Sequence, residues 1–250
     1  MWVGQTYYFT WLDGQFGKLE KAAARQGAHP QLWMVHSGGF YTVEKQKSLG
    51  VSPSQIHWFR WEALMTWVSG MVLLILIYYA GGALIDRDVA DISAGADTII
   101  GLAVLALGWL VYDFAARSPL GKSERAFAVF SIVAIAALAW GLSHIFSGRG
   151  AYIHVGALLG TIMTLNVWMR ILPNQRKMIA AAESGTSLDQ KLSAQAKLRS
   201  KHNTYMAVPV VFIMISNHFP VATYGNTYNW EILVALIIAG WIAAGLIRRS

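Results

Sequence analysis

The residues with the most chemical scope in this chain are its histidines: it has seven of them and no cysteine. Three fall at the same end of three separate apolar runs. His144 lies two residues before the end of one run, His154 three residues into the next, and His218 follows Ser216 and Asn217 at the end of a third. The loop at 147–150 between the first two runs is very short. It makes the flanking helices antiparallel neighbours and puts His144 and His154 at similar depth. Two neutral imidazoles from facing helices are an axial ligand set for a non-covalent b-type haem. A divalent metal held by all three rings is the weaker alternative, because no carboxylate joins them. The plainest alternative is that each ring anchors its helix at headgroup level.

A second group belongs to the opposite end. His36, His57 and His202 lie at or near it, with Arg60 and Asn203 beside them and Phe40 and Tyr41 close by. Polar side chains gathered at one depth are functional candidates by default, and His36, His57, Arg60, His202 and Asn203 are the candidate catalytic residues. His29 falls in a polar loop.

The elements that must position these residues are apolar helices. Six runs are long enough to cross a hydrocarbon core of ~30 Å: 61–80, 95–116, 125–146, 151–172, 204–220 and 230–247. Residues 1–12 are apolar but short, and are read as the second half of a helix. The expected fold is all-α: one polytopic integral membrane helical bundle over 1–250, with six full transmembrane helices and a truncated N-terminal one. Of the twenty Lys and Arg residues, all but Arg87 and Arg149 fall on one side of this arrangement. By the positive-inside rule that side is cytoplasmic, and it includes the segments 13–60 and 173–203.

Composition agrees: 55% of residues are hydrophobic and only 13% charged, against about 25% charged in a soluble domain. The net charge of +7 is assigned to loops facing anionic headgroups, so no nucleic-acid partner is expected. Zero cysteines exclude thiolate metal sites and covalent haem c within these residues. There is no Walker A motif, no GxSxG elbow and no HExxH.

Smaller signals refine the picture. Ser37-Gly38-Gly39 interrupts any helix over 31–43. Pro53 and Ser54 mark a turn. Ser187 and Gln190 read as a capping pair opening a basic amphipathic helix, with Leu188, Leu192 and Ala196 on its apolar face. Pro209 is expected to kink the 204–220 helix. Asp113 and Arg117 form an (i, i+4) pair. Thr161, Thr164 and Asn166 read as interhelical hydrogen-bonding residues.

Three stretches, MVHSGGFYTVEK at 34–45, HWFRWEALMTWVSG at 57–70 and RSKHNTYMAVPVVFIMISNHFP at 199–220, resemble the membrane domain of the bacterial membrane-bound urate oxidase (urate hydroxylase) family. WVGQTYYFTW at 2–11 and LPNQ at 172–175 add to the likeness. The resemblance implies a multi-pass protein of the bacterial inner membrane that oxidises urate to 5-hydroxyisourate. It also implies electron transfer to a c-type cytochrome, which in this family follows the membrane domain. No CxxCH motif occurs here, so that partner must be separate or lie on a continuation. The rival readings are a purine or anion transporter and a non-catalytic membrane subunit that docks a cytochrome.

Overall fold

A computed structural model describes residues 2–23, 30–45, 57–187 and 189–248. His29 and the expected turn at Pro53 and Ser54 lie outside them. The chain opens with helix α1 (Trp2–Ala23), then strands β1 (Gln31–His36) and β2 (Gly39–Glu44). Helix α2 (Arg60–Leu74) continues as a π turn at Ile75–Tyr79 and is followed by α3 (Ala94–Arg117) and α4 (Glu124–Ser143). Next, α5 (Gly148–Asn166), a π turn (Val167–Ile171) and α6 (Leu172–Glu183) form one unbroken rod. Helices α7 (Gln190–Ser216) and α8 (Asn229–Ile247) complete it.

Five of these helical rods are long and apolar enough to cross a membrane: Arg60–Tyr79, Ala94–Arg117, Glu124–Ser143, Gly148–Glu183 and Asn229–Ile247. They reproduce five of the six expected spans. The 204–220 span is part of α7, whose first half is polar and basic, so α7 falls outside that set. It stops at Ser216, and Pro220 opens a short 3-10 turn instead of ending the helix. Helix α1 runs eleven residues past the expected end at 12, into the segment assigned to a loop.

The all-α expectation needs a correction. Residues 31–44 form an antiparallel hairpin with His36 opposite Gly39. Ser37 and Gly38 both take positive φ, 49° and 77°. Two left-handed residues in a two-residue loop make the turn whose twist matches the paired strands. The interruption at Ser37-Gly38-Gly39 is thus a hairpin turn.

Helix α5 sits at the centre of the bundle. It packs against α2, α3, α4 and α7, and its Tyr152, His154, Val155 and Asn166 are fully buried. Glycines on its neighbours allow the close approach. A Cβ at Gly108 of α3 would stand 2.6 Å from Leu158, and one at Gly101 would stand 2.7 Å from the His154 ring. Small residues at helix crossings are how bundles pack tightly inside a membrane. Pro209 leaves α7 continuous, its ring nested on Gly240 of α8.

Ser187 does not cap α7. The cap is Asp189, whose side chain accepts from the Lys191 amide. The basic stretch is also not a separate surface helix, because it runs without a break into the apolar run. Ala196, Arg199, Asn203 and Met206 of α7 are all buried, one stripe at spacings of three and four.

Candidate functional site

Two regions at the cation-rich end of the bundle carry the polar chemistry, and the second π turn joins them. A π turn adds a residue to the helical circuit, rotates the side chains that follow, and is frequent at functional sites. Here it directs Trp168 toward α2 and Arg170 toward α3.

The first region is a buried network across α3, α5 and α7. Asp113 receives Arg199 at 2.7 Å, Arg117 at 3.6 Å, and Arg170 through a two-point contact. One carboxylate among three guanidinium groups leaves an excess of positive charge. Arg199 and Asp113 are 5% and 6% exposed, so the interaction is little screened. Arg199 also donates to Asn166 Oδ1 at 3.3 Å. Arginine only donates, so it fixes the Asn166 amide. Asn166 Nδ2 then donates to Tyr112 Oη and Asn203 Oδ1, both at 2.9 Å, and Asn203 Nδ2 donates to the Met163 carbonyl at 3.0 Å. Tyr112 Oη lies 2.8 Å from His202 Nδ1. The tyrosine proton has no other acceptor within that network, so it goes to Nδ1, leaving the imidazole its proton on Nε2. Burial, then the charges of Arg199 and Lys201, push His202 down to about 4, so the ring is neutral near pH 7.

The second region is an aromatic corner where α2 begins. Trp61 meets Trp168 edge to face at 5.9 Å, and the Arg60 guanidinium lies 5.5 Å over the Trp61 ring. His57 Nε2 stands 3.7 Å from Glu62 Oε1. Three polar atoms here are buried without a partner among the described residues: Arg60 Nε, Glu62 Oε2 and Trp168 Nε1. Buried polar atoms are nearly always paired, so three on residues at or against the start of α2 call for an explanation.

Of the candidate catalytic residues, His202 and Asn203 belong to the network and His57 and Arg60 to the corner. His36 joins neither. It is exposed at the tip of β1, as are Phe40 and Tyr41 on β2. Sequence reasoning passed over Arg199, Arg170, Tyr112 and Trp168. The signal for Arg199 was present: it lies four residues before Asn203, on one helical face.

The three imidazoles at the far end stand apart. His154 is fully buried, with Nε2 3.0 Å from Tyr79 Oη and Nδ1 2.9 Å from the Gly150 carbonyl. His144 is exposed, meets Trp140 of its own helix at a tilt of 45°, and uses Nδ1 against the Trp140 carbonyl at 2.7 Å. His218 is exposed just past α7, while its neighbour Asn217 accepts from Arg149 at 3.0 Å. No hydrogen bond or ring contact joins the three. A b-type haem on His144 and His154 does not fit these positions: both His154 nitrogens are engaged, and Tyr79 and the α3 backbone at Gly101 close off Nε2. Among the described residues, no three His, Cys, Asp or Glu side chains gather closely enough to hold a metal ion.

A family model described as urate oxidase N-terminal matches residues 1–248. The chain belongs to that family. The match covers both polar regions and every helix, so the likeness first seen in three stretches extends along essentially the whole chain. No curated protein and no solved structure matches it.

Proposed function

We propose that this chain is the membrane domain of a urate-oxidising enzyme, with urate bound in the aromatic corner of Arg60, Trp61, Glu62 and Trp168. The observation that carries the reading is the set of three unpartnered buried atoms beside two indole rings. Urate is a planar anion at neutral pH whose rim alternates N–H donors and carbonyl acceptors. Two free donors, one free acceptor and flat aromatic walls complement it. The positive excess around Asp113 lies across the π turn and favours an anion there.

The reaction adds water across the purine ring. Urate and one water give 5-hydroxyisourate, two protons and two electrons. His57 and Glu62 are the groups placed to take a proton at the corner. The electrons pass to a c-type cytochrome outside these residues, which supplies one-electron acceptor chemistry. In this reading α7 is a sixth full crossing and α1 a partial one. The bundle lies in the bacterial inner membrane, and the cation-rich end, with 13–60 and 173–203, faces the cytoplasm.

The test is urate consumption by purified protein in lipid nanodiscs with ferricyanide as a soluble one-electron acceptor. Trp168→Phe keeps the ring and removes one donor, and Arg60→Gln removes a charged one. Each is expected to lower kcat/KM about tenfold or more, the scale of one lost hydrogen bond in a buried site. Absence of urate oxidation by the unaltered protein, or indifference to both substitutions, overturns the reading.

A further inference from the structure

A long cavity of about 910 Å³ opens between α3 and α4. Both helices pack on α5, yet they barely touch each other beyond the turn at Pro119–Lys122 that joins them. The slot between them is floored by α5, α7 and α8. Its lining runs from Glu124 to Leu138 along α4, about 20 Å of helix at 1.5 Å per residue. Most of that length is Leu, Ile, Val and Ala. Apart from Ser131, whose hydroxyl donates to the Phe127 carbonyl, polarity gathers toward the cation-rich end, where His202, Tyr112 and Tyr205 line the wall and Lys201 pairs with Glu124 at 2.5 Å.

His202 makes that end more than a gap between helices. Its Nδ1 is committed to Tyr112, and its ring stacks on Phe127 at 4.7 Å with an interplanar angle of 7°. The Nε2–H donor finds no partner among the described residues. The ring is only partly buried and lines the cavity. Trp241, on the same wall, buries an indole N–H without an acceptor among the described residues. A donor fixed by a hydrogen-bonded relay, an aromatic stack and a long apolar trough define an amphiphile. Its head is a flat ring bearing a carbonyl, and its tail is a hydrocarbon chain.

We propose that this cavity binds a prenylated quinone, with a ring carbonyl accepting from His202 Nε2 and the tail lying between α3 and α4. A phospholipid head would want free cations, and the ammonium of Lys201 is already held by Glu124. The redox reading explains why such a carrier belongs here, and the role assigned to it rests on that reading. Urate oxidation releases electrons in a pair, whereas a c-type haem takes them singly. A quinone takes two electrons and two protons to become the quinol, and the quinol then reduces two ferric haems in single steps. Summed at the first stage, urate, water and quinone give 5-hydroxyisourate and quinol.

Binding is tested apart from catalysis. Protein in nanodiscs of defined, quinone-free phospholipid is titrated with decyl-ubiquinone, and quenching of tryptophan fluorescence is read. Saturable quenching is expected, weakened about tenfold or more by His202→Ala. It should be abolished by Ala134→Trp, which fills the apolar trough and leaves the polar end intact. The same tail without a ring, as decanol, should not compete. Non-saturable quenching, insensitivity to both substitutions, or equal competition by decanol or added phospholipid overturns the proposal. Saturable binding in a protein that oxidises no urate with ferricyanide leaves the quinone site standing and removes the urate reading instead.

Discussion

The two ends of the bundle partner their polar side chains in opposite ways. At the cation-rich end, Tyr112, Asp113, Asn166, Arg170, Arg199 and Asn203 come from α3, α5, the second π turn and α7 and satisfy one another. At the far end each imidazole is served close at hand: His144 by its own helix, His154 by its own helix and one tyrosine, His218 by neither ring nor carboxylate. Shared depth in the membrane does not make a site. Convergence does, and it comes from side chains that need a partner on another helix. An arginine inside the bundle must find a carboxylate, whereas a histidine at a helix end can settle for a backbone carbonyl.

The sharpest way to break this contrast is Arg199→Met. It removes a guanidinium that is 5% exposed, strands the Asn166 side-chain carbonyl and takes from Asp113 Oδ1 one of its two donors, Arg170 Nε remaining. Arg170 and Arg117 still hold part of that carboxylate, but from more exposed positions. Losing a charged hydrogen bond and leaving a buried carbonyl unpaired together cost about 3–5 kcal/mol. Thermal unfolding in detergent, followed by circular dichroism, should show it as the largest loss among single substitutions at either end. A shift no larger than that of a surface arginine would mean the network is not a cross-link.

Much of this architecture is legible in the chain. Five spans follow from apolar runs of the right length, and their ends fall within a few residues of Arg60–Tyr79, Ala94–Arg117, Glu124–Ser143 and Asn229–Ile247; only the rod at Gly148–Glu183 overshoots its expected end. His202 and Asn203 are legible as candidates because polar side chains beside an apolar run demand a reason, and the structure places both in the buried network. Arg199 is not, because in a stretch with Lys197 and Lys201 it looks solvated; only the continuity of α7 places it on the buried stripe. Trp168 and Arg170 escape for a different reason. They sit in a π turn, and a reading at 3.6 residues per turn assigns them to the wrong faces. The hairpin is missed because Trp33, Val35 and Phe40 are exposed and alternate against no apolar core, so the period-two signal of a half-buried strand is absent.

The far end offers a narrower test, because two of its histidines differ only in surroundings. His154→Ala empties a fully buried position, strands the Tyr79 hydroxyl and takes the side-chain contact from the Gly150 carbonyl, which keeps its helical N–H partner. Loss of a packed ring together with an unpaired polar group is worth about 2–4 kcal/mol. His144 shares its depth but not its burial. Its ring lies against Trp140 of the same helix and its Nδ1 meets a carbonyl that water or lipid headgroups can also reach. His144→Ala is therefore expected to shift stability by less than about 0.5 kcal/mol, as surface substitutions do, and to leave ferricyanide-linked urate oxidation unchanged. Parallel unfolding curves for the two variants read the difference directly. Equal losses at both positions would mean that the two rings are coupled after all, and would return the far end to contention as a shared site.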